Sequence, residues 1–210
     1  MSAPLVSICC ITYNHAPFTR QCLDGFMMQK TSFSFEIIIH DDASTDNTAE
    51  IINEYASKDD RIKAILRKEN IKSTGVAVLP IVYKEARGKY IAICEGDDYW
   101  IDPYKLQKQF DFLESHPDFS MCFHSYYEKK GEKLDLKPYT LKDELSLVDF
   151  AKSIGGIQTL TVFHRNLITS TANETSQNKI NFTGSYFLYA MLAKVGKLKF
   201  INEPMAVYRV

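Results

Sequence analysis

The sequence predicts an α/β fold with a mostly parallel central sheet, flanked by helices, and a small antiparallel portion in its second half. Short apolar runs that suit strands alternate along the chain with segments whose apolar residues recur at helical spacing. The runs at residues 5–11 and 35–40 are almost continuously apolar, which is typical of strands covered on both faces. Because ligands of such sheets bind beyond the carboxyl ends of the strands, residues that follow a strand are the first candidates for a site.

In the first half, strands alternate with helices in the order βαβαβαβ. Pro17 is well placed to open the first helix, and Ser44 or Thr45 can cap the second. The predicted strands are residues 5–11, 35–40, 62–66 and 90–94, and the third helix covers residues 76–86. This alternation implies right-handed crossovers between parallel strands.

The second half begins with a helix at Pro103 and is less regular. The charged residues 128–144 are predicted to form a loop or an insertion, and an amphipathic helix ends at Gly196. Further strands are predicted at residues 119–127, 157–163, 198–201 and 205–208. No repeat or linker divides the chain, so residues 1–210 form one domain.

The bulk composition excludes several classes of protein. The chain has 210 residues, 45% of them hydrophobic and 24% charged, which is an ordinary globular balance. A formal charge of -1 with scattered basic residues gives no surface for nucleic acid. The apolar runs are far shorter than the ~20 residues of a membrane span, so we expect no integral membrane segment and a cytoplasmic chain.

Three carboxylates, Glu95, Asp97 and Asp98, follow the strand at residues 90–94. Acids packed at a strand end repel one another, and a divalent cation with oxygen ligands relieves the repulsion. Asp97 and Asp98 therefore predict a site for Mn²⁺ or Mg²⁺, which can also hold substrate phosphates. The alternative is an ordinary acidic turn.

Two further polar clusters follow the first two strands, so all three clusters lie on one rim of the predicted sheet. Tyr13 can stack on a base beside Thr12 and Asn14, and Asp41 or Asp42 can accept a base N–H or a ribose hydroxyl. Together they suggest a nucleotide diphosphate. The sequence has neither a GxxxxGK[ST] nor a GxGxxG loop, so the metal would hold the phosphates.

Each of these residues also has a purely structural interpretation. Tyr13 can cover the sheet edge, and Asp41 and Asp42 can cap a helix. Trp100 belongs more often to a core than to a ligand contact, although its place just after the acids makes it a candidate for the acceptor pocket.

These motifs, in this order and spacing, resemble those of the inverting family 2 glycosyltransferases with the GT-A fold. The resemblance covers essentially the whole chain and rests on residues 6–14, 39–46, 95–100 and 203–209. It implies that Thr12, Tyr13, Asn14 and one of the acids at 41 and 42 hold the nucleotide, usually uridine. It also implies that Asp97 and Asp98 form the DxD-type metal site.

The resemblance further implies transfer of a sugar from a nucleotide diphosphate donor to a hydroxyl of a saccharide or lipid-linked saccharide, with inversion. Residues 1–100 would then be the nucleotide-binding half and residues 101–210 the acceptor half. Family members continue beyond the Tyr-Arg pair at 208–209, so we expect part of the acceptor half to be missing at the carboxyl end. The expected pathway is the synthesis of a surface polysaccharide or glycolipid.

The sequence departs from the family at the catalytic base. Members carry an acid at the start of a late helix, where this chain has Ser185. Either Ser185 replaces the base in a weak or inactive enzyme, or another group such as Glu174 supplies it, or the serine is a substitution. Ser185 can also simply cap the helix.

Two other functions compete with the transferase. The serine favours a catalytically degenerate module that binds a nucleotide sugar without transferring it. A sugar nucleotidylyltransferase also joins an α/β sheet to metal and nucleotide, but it would open with a Gly-rich basic loop, and none follows Ile11.

Overall fold

The molecule is a curved mixed sheet with helices on both faces. A computed structural model describes residues 3–139, 142–152, 156–167 and 185–210. The strands are β1 (Val6–Thr12), β2 (Phe35–Asp41), β3 (Ile62–Leu66), β4 (Tyr90–Glu95), β5 (Tyr99–Trp100), β6 (Phe119–Lys130), β7 (Lys133–Leu136), β8 (Glu144–Leu145), β9 (Phe163–Arg165) and β10 (Lys197–Arg209). The helices are α1 (Ala16–Met27), α2 (Thr48–Ala56), α3 (Leu79–Glu85), α4 (Lys105–Ser115), α5 (Leu147–Lys152) and α6 (Ser185–Val195).

The strands pair in the order β3-β2-β1-β4-β9-β6-β10-β5, with β7 beside β6 and β8 beside β10. The first four strands of this order are parallel, and β6 and β10 are parallel to each other. Strand β9 runs antiparallel to both of its neighbours, β4 and β6. The predicted α/β fold, mostly parallel with an antiparallel portion in the second half, is confirmed.

Two apolar layers hold the sheet between the helices. On one face, alternate residues of β1 and β2 such as Ile8 and Ile37 pack with the buried side of α1 and α2. On the other face, Cys9 and Ile38 pack with residues of α3 and α6. Because both faces of these strands are covered, their sequences read as continuous apolar runs.

The structure corrects four predicted elements of the chain. Residues 128–144 are not a plain loop, because β6 continues to Lys130 and turns back as β7. The sequence predicts a strand at residues 157–163, but Thr159–Thr161 form a 3₁₀ turn and the short strand β9 begins only at Phe163. The third helix begins at Leu79 rather than at 76. The two strands predicted at 198–201 and 205–208 are one strand, β10, with a bulge between Ile201 and Ala206.

The cap of α2 also differs from the prediction. Neither Ser44 nor Thr45 caps this helix, which begins at Thr48. Asp46 Oδ1 instead accepts the Thr48 backbone N–H at 3.0 Å, and its Oδ2 accepts the N–H of Ala16 at the start of α1 at 3.0 Å. One carboxylate therefore satisfies the first turn of two helices, where the helix dipole favours negative charge.

Across the described ranges, every helix is too short or too polar to cross a lipid bilayer.

Candidate functional site

The three polar clusters meet at one end of the sheet because the parallel strands are in register. Thr12 is paired with Asp41 across β1 and β2, and Ile11 is paired with Glu95 across β1 and β4. The carboxyl ends of the three strands are therefore level. The structure brings together the residues that the sequence assigned to the nucleotide and the metal.

Asp41 organises the first two loops of the site. The side chain is 1% exposed, and its Oδ1 accepts the Thr12 hydroxyl at 3.0 Å while its Oδ2 accepts the Ser44 N–H at 3.0 Å. Ser44 then accepts the backbone N–H of Asn14 at 2.8 Å, and the Asn14 side-chain oxygen accepts the Thr45 N–H at 2.8 Å. These bonds fasten the loop after β1 to the loop after β2.

Two non-glycine residues in these loops adopt positive φ angles. Asn14 has φ 55° and Ala43 has φ 62°, both in the left-handed region. Asparagine tolerates this region, whereas alanine pays a steric cost of about 1 kcal/mol there. The surrounding hydrogen bonds hold both residues in place. Tyr13 belongs to the loop after β1 and has 42% of its surface exposed, so its ring is accessible to a base.

Asp42 supports a third loop, the one that follows β3. Its side chain is 2% exposed, and its two carboxylate oxygens accept the backbone N–H groups of Ile71 and Lys72, each at 3.0 Å. The Asn70 side chain donates to the Asp42 carbonyl at 3.1 Å. Both predicted nucleotide acids therefore shape loops in this structure. Contact of either acid with a nucleotide stays a prediction.

Gly96 lets the acidic segment, residues 95–98, lie directly against β1. A Cβ at this position would be 2.3 Å from Thr12 Cγ2 and 3.1 Å from His15 Nδ1. No side chain larger than hydrogen fits without a shift of its neighbours. The His15 ring reaches across to the acids, with Nε2 3.7 Å from Asp97 Oδ2.

The two predicted metal ligands differ in accessibility. The Asp97 side chain is 39% exposed, whereas Asp98 is 1% exposed and its Oδ1 accepts the Arg209 backbone N–H at 2.9 Å. Asp97 can therefore reach a ligand in solution directly. Asp98 lies behind it and joins the acidic segment to the end of β10.

The charges of the acidic segment are poorly compensated. Burial, reinforced by the neighbouring carboxylates of Asp97 and Glu95, raises the pKa of Asp98 to about 8 despite the N–H of Arg209. Burial likewise raises the pKa of Glu95, although the hydroxyl of Thr159 donates to its carboxylate. A nearby cation would favour the charged form of both groups.

Arg209 closes the site from the side of β10. Its guanidinium donates to the carbonyl of Asp97 and to the side chain of Gln21 on α1. The same group lies 4.8 Å from the ring centre of Phe18 and 4.4 Å from that of Tyr99. The last strand is thereby fastened to α1 across the acidic segment.

Trp100 lies in the core and not on an open pocket. Its side chain is 2% exposed, its ring packs edge-on against Phe26 at 4.8 Å, and its Nε1 donates to the Leu160 carbonyl at 3.0 Å. The predicted contact between Trp100 and an acceptor has no exposed surface to support it here.

Ser185 begins α6, as the sequence suggested. It lines a small cavity of about 120 Å³ together with Phe150, Gly156, Ile157, Tyr186 and Tyr189. Glu174, the alternative base, lies outside the described residues. A much larger groove of about 1000 Å³ lies near the start of β2, at the opposite end of the sheet from the polar clusters.

The acidic segment fits a metal ion only if a ligand completes its coordination. Within the parts of the chain described here, no three His, Cys, Asp or Glu side chains are arranged to hold an ion. Mn²⁺ and Mg²⁺ are commonly bound through one or two carboxylates plus substrate phosphates, which suits Asp97 backed by Asp98. Among the residues that the structure describes, the buried His15 Nδ1 beside Gly96 has no hydrogen-bond partner, which leaves one nitrogen at this site open to a further contact.

Four residues of the site were missed by the sequence predictions. Ser44 was assigned to a helix cap, and His15, Thr159 and Arg209 were assigned no role at the site. A signal existed for Ser44, because an Asp followed three residues later by Ser can form a local side-chain turn. His15 directly follows the predicted Thr12–Asn14 loop, and Arg209 belongs to the motif at 203–209, but neither position by itself indicates a contact with Asp97. Thr159 reaches Glu95 across 64 positions, and the local sequence gives no signal for that contact.

Comparison with known proteins supports the same family. The sequence model described as "Glycosyl transferase family 2" matches residues 7–172. An uncharacterized protein of Mycobacterium tuberculosis, Rv1520, is 40% identical over 209 residues, which cover 97% of this chain and 58% of that protein. The Escherichia coli enzyme WfaP, named as a UDP-Glc:alpha-D-GlcNAc-diphosphoundecaprenol beta-1,3-glucosyltransferase, is 37% identical over 125 residues, covering 60% of this chain and 47% of WfaP. The chain thus spans about half the length of these relatives.

Solved structures share the fold at low sequence identity. Staphylococcus aureus TarS 1-349, crystallised with UDP-GlcNAc, matches with a TM-score of 0.74 and 20% identity over 98% of this chain and 58% of TarS 1-349. The mannosyltransferase PcManGT of Pyrobaculum calidifontis, in complex with GDP-Man and Mn²⁺, matches with a TM-score of 0.61 and 16% identity over 99% of this chain and 57% of its own. The neighbours share the fold, and the family model matches more than half of the chain. The chain belongs to glycosyl transferase family 2 and has the GT-A fold.

Proposed function

We propose that this chain binds a nucleotide diphosphate sugar, in particular a UDP-sugar, with a divalent metal and transfers the sugar to an acceptor hydroxyl with inversion. The acceptor would be a saccharide or lipid-linked saccharide used in a surface polysaccharide or glycolipid. The observation that carries the proposal is the convergence of the Thr12–Asn14 loop, Asp41 and Asp97 on one rim of the sheet.

The relatives support the classes of donor and acceptor. The name of WfaP specifies UDP-Glc and a diphosphoundecaprenol acceptor, and the TarS structure contains UDP-GlcNAc. PcManGT was crystallised with GDP-Man and Mn²⁺, so the base of the nucleotide varies among chains of this fold. A tyrosine ring that stacks on any base, such as Tyr13, is compatible with either.

In the proposed complex, Tyr13 stacks on the base, and the loops fastened by Asp41 and Asp42 surround the ribose. Asp97, backed by Asp98, would hold Mn²⁺ or Mg²⁺ together with the diphosphate. The metal would act as a Lewis acid that neutralises the charge of the departing diphosphate. The chain's own part is to keep Asp97 in place through Gly96 and Arg209.

A catalytically degenerate binding module remains the second candidate, and Ser185 is the observation that favours it. The acceptor hydroxyl needs a general base worth typically 10²- to 10⁴-fold in rate. A serine hydroxyl does not accept a proton at neutral pH without a base of its own. Donor binding and catalysis are therefore tested separately.

Donor binding is tested by removing each carboxylate of the metal site. Asp97→Ala should weaken Mn²⁺-dependent UDP binding by at least about tenfold, because it removes the accessible ligand. Asp98→Ala should weaken it too, since the support behind Asp97 is lost. Isothermal titration calorimetry with UDP, with and without Mn²⁺, measures both effects. Asp111→Ala, an exposed acid on α4, is the control and should not change the affinity.

Unchanged Mn²⁺-dependent affinity in both site variants would contradict the assignment of the metal site. UDP binding that is equally tight in EDTA would contradict the metal dependence alone.

Catalysis is tested at Ser185. If this serine occupies the position of the base, Ser185→Asp should raise sugar transfer or donor hydrolysis by about 10²-fold or more. Ser185→Asn is the matched control, because it has a similar size without a proton-accepting carboxylate. Donor hydrolysis followed by release of UDP measures the rate. An equal rate in both variants would place the base elsewhere in the chain.

A further inference from the structure

Lys105 is a fully buried lysine. Its side chain is 0% exposed, and no carboxylate of the described residues lies within ion-pair distance of its Nζ. Nζ donates to Gln109 Oε1 at 2.7 Å, and Gln109 is also 0% exposed. Burial lowers the pKa of Lys105 to about 7. A buried amine is costly, and a methionine of similar volume would fill the same space without that cost.

The Lys105 amine also lies on the face of Trp100. Nζ is 4.0 Å from the centre of the indole ring, a cation–π distance. Trp100 follows Asp98 by two residues, and its backbone has little freedom. A Cβ on Gly25 of α1 would lie 3.0 Å from the Trp100 backbone N and O. Lys105 therefore contacts a residue that lies two positions beyond the acidic segment.

A second set of contacts leads from Lys105 to Glu95, the first residue of the acidic segment. The Gln109 side-chain amide donates to the Thr161 carbonyl at 3.0 Å, and the Trp100 indole donates to the Leu160 carbonyl at 3.0 Å. Both carbonyls belong to the 3₁₀ turn at 159–161. The first residue of that turn, Thr159, donates its hydroxyl to Glu95 Oε2 at 2.5 Å. The network thus joins Lys105 to both Glu95 and Trp100.

We propose that Lys105 is a positioning residue for the donor site, which acts by holding the 3₁₀ turn and Trp100 in register so that the acidic segment 95–98 keeps its geometry. The inference rests on the proposed donor-binding function. Lys105 does not touch the reacting atoms, and its amine is separated from the acids by Trp100 and the turn. The contacts link this single buried group to Glu95, the first residue of the segment, and to Trp100, two residues after its end.

The test removes each end of the network. Lys105→Met deletes the amine and keeps the length of the side chain, and Thr159→Val deletes the hydroxyl that reaches Glu95. Each variant should weaken Mn²⁺-dependent UDP affinity about tenfold, as is usual when a group that orients a metal ligand is lost. Because both act through one network, the double variant should lose little more than either single variant. Isothermal titration calorimetry measures all four affinities.

Leu113→Ala is the control for a general loss of stability. Leu113 is buried on the same helix and takes no part in the network through its side chain. Leu113→Ala should lower the melting temperature while leaving UDP affinity within twofold below the transition. Lys105→Met should show the reverse, with an unchanged or higher melting temperature and a weaker affinity. An unchanged affinity in Lys105→Met, or losses that multiply in the double variant, would overturn the inference.

A second readout separates this inference from the proposed function. Trp100 is the only tryptophan of the chain, so its fluorescence reports this network without any ligand. Thr159→Val should shift the Trp100 emission in the wild-type background and not in the Lys105→Met background. If wild-type protein binds no UDP, the proposed function fails, and the emission spectra still decide the network. An identical shift in both backgrounds, or none, contradicts it.

Discussion

At the scale of single residues, Gly96 sets how closely the acidic segment approaches β1. The distance of 2.3 Å from an added Cβ to Thr12 Cγ2 is shorter than any real contact, so the loop must shift to accept a methyl group. Gly96→Ala should therefore weaken UDP binding by about tenfold or more.

The clash can be relieved from the other side. Thr12→Ser removes Cγ2 and keeps the hydroxyl that donates to Asp41. The double variant Gly96→Ala with Thr12→Ser should recover part of the lost affinity, as measured by calorimetry. A double variant as weak as Gly96→Ala alone would show that the clash with Thr12 is not the cause.

The sequence predicts site residues well where the chemistry is local to a strand end. Thr12, Asp41 and Asp97 each follow a recognisable apolar run, and the parallel pairing of the strands then places all three at one edge of the sheet. The residues that it does not predict depend on packing. Arg209 reaches Asp97 from 112 positions away, and Trp100 is directed into the core by contacts with Phe26 and Lys105.

At the scale of secondary-structure elements, the starts of the parallel strands are joined by an ion pair between a buried glutamate and an exposed arginine. Glu36 at the start of β2 is 5% exposed, and its carboxylate accepts the Ser7 hydroxyl at 2.7 Å and the Arg87 guanidinium at 2.6 and 2.8 Å. Arg87 lies just before β4, so the pair joins β2 to the segment that enters β4.

Arg87→Ala should lower the free energy of unfolding by about 1–3 kcal/mol, because a buried carboxylate loses charged hydrogen bonds. The exposure of the arginine keeps the effect below that of a fully buried pair. Arg20→Ala breaks the exposed ion pair with Glu54 and is the control, with little expected change. Urea denaturation compares the two. Equal losses would mean that burial of Glu36 adds nothing to the pair.

The elements of the first half are predictable from sequence because their strands are buried on both faces and their helices have regular apolar stripes. In the second half the pattern is weaker. Strand β7 alternates between charged residues and leucines, but it is only four residues long and wholly exposed, and the charged end of β6 beside it has no apolar run. The bulge in β10 likewise divides one strand into two apolar runs.

At the scale of the whole molecule, the stability should depend on pH through Lys105. Its pKa falls from the ordinary 10.5 to about 7 in the folded chain because the amine is buried. Between these values the unfolded chain binds more protons than the folded chain, so stability gains from this group as the pH rises from about 7 to 10.5. Below pH 7 both states are protonated and the penalty for burying the charge is complete.

The groups that face Lys105 include Cys94, Cys122 and Asp102, and the ammonium also lowers the pKa of His124. Other groups, such as Asp98, also titrate near this range. The pH dependence of the unfolding free energy is therefore compared between the wild type and Lys105→Met, which differ only in this amine. From pH 7 to 9 the wild-type unfolding free energy should rise relative to that of the variant by up to about 1.4 kcal/mol per pH unit. Urea denaturation at several pH values measures the difference. If the unfolding free energies of the wild type and the variant change with pH in parallel, the pKa of Lys105 is not lowered by folding.

Asn14 and Ala43 hold left-handed backbone conformations in loops that are fastened by hydrogen bonds within the chain itself. The entropy of ordering these loops is therefore lost during folding and not during each encounter with the donor. Donor association should then proceed in a single kinetic phase whose rate is proportional to donor concentration, with no slow step of loop closure.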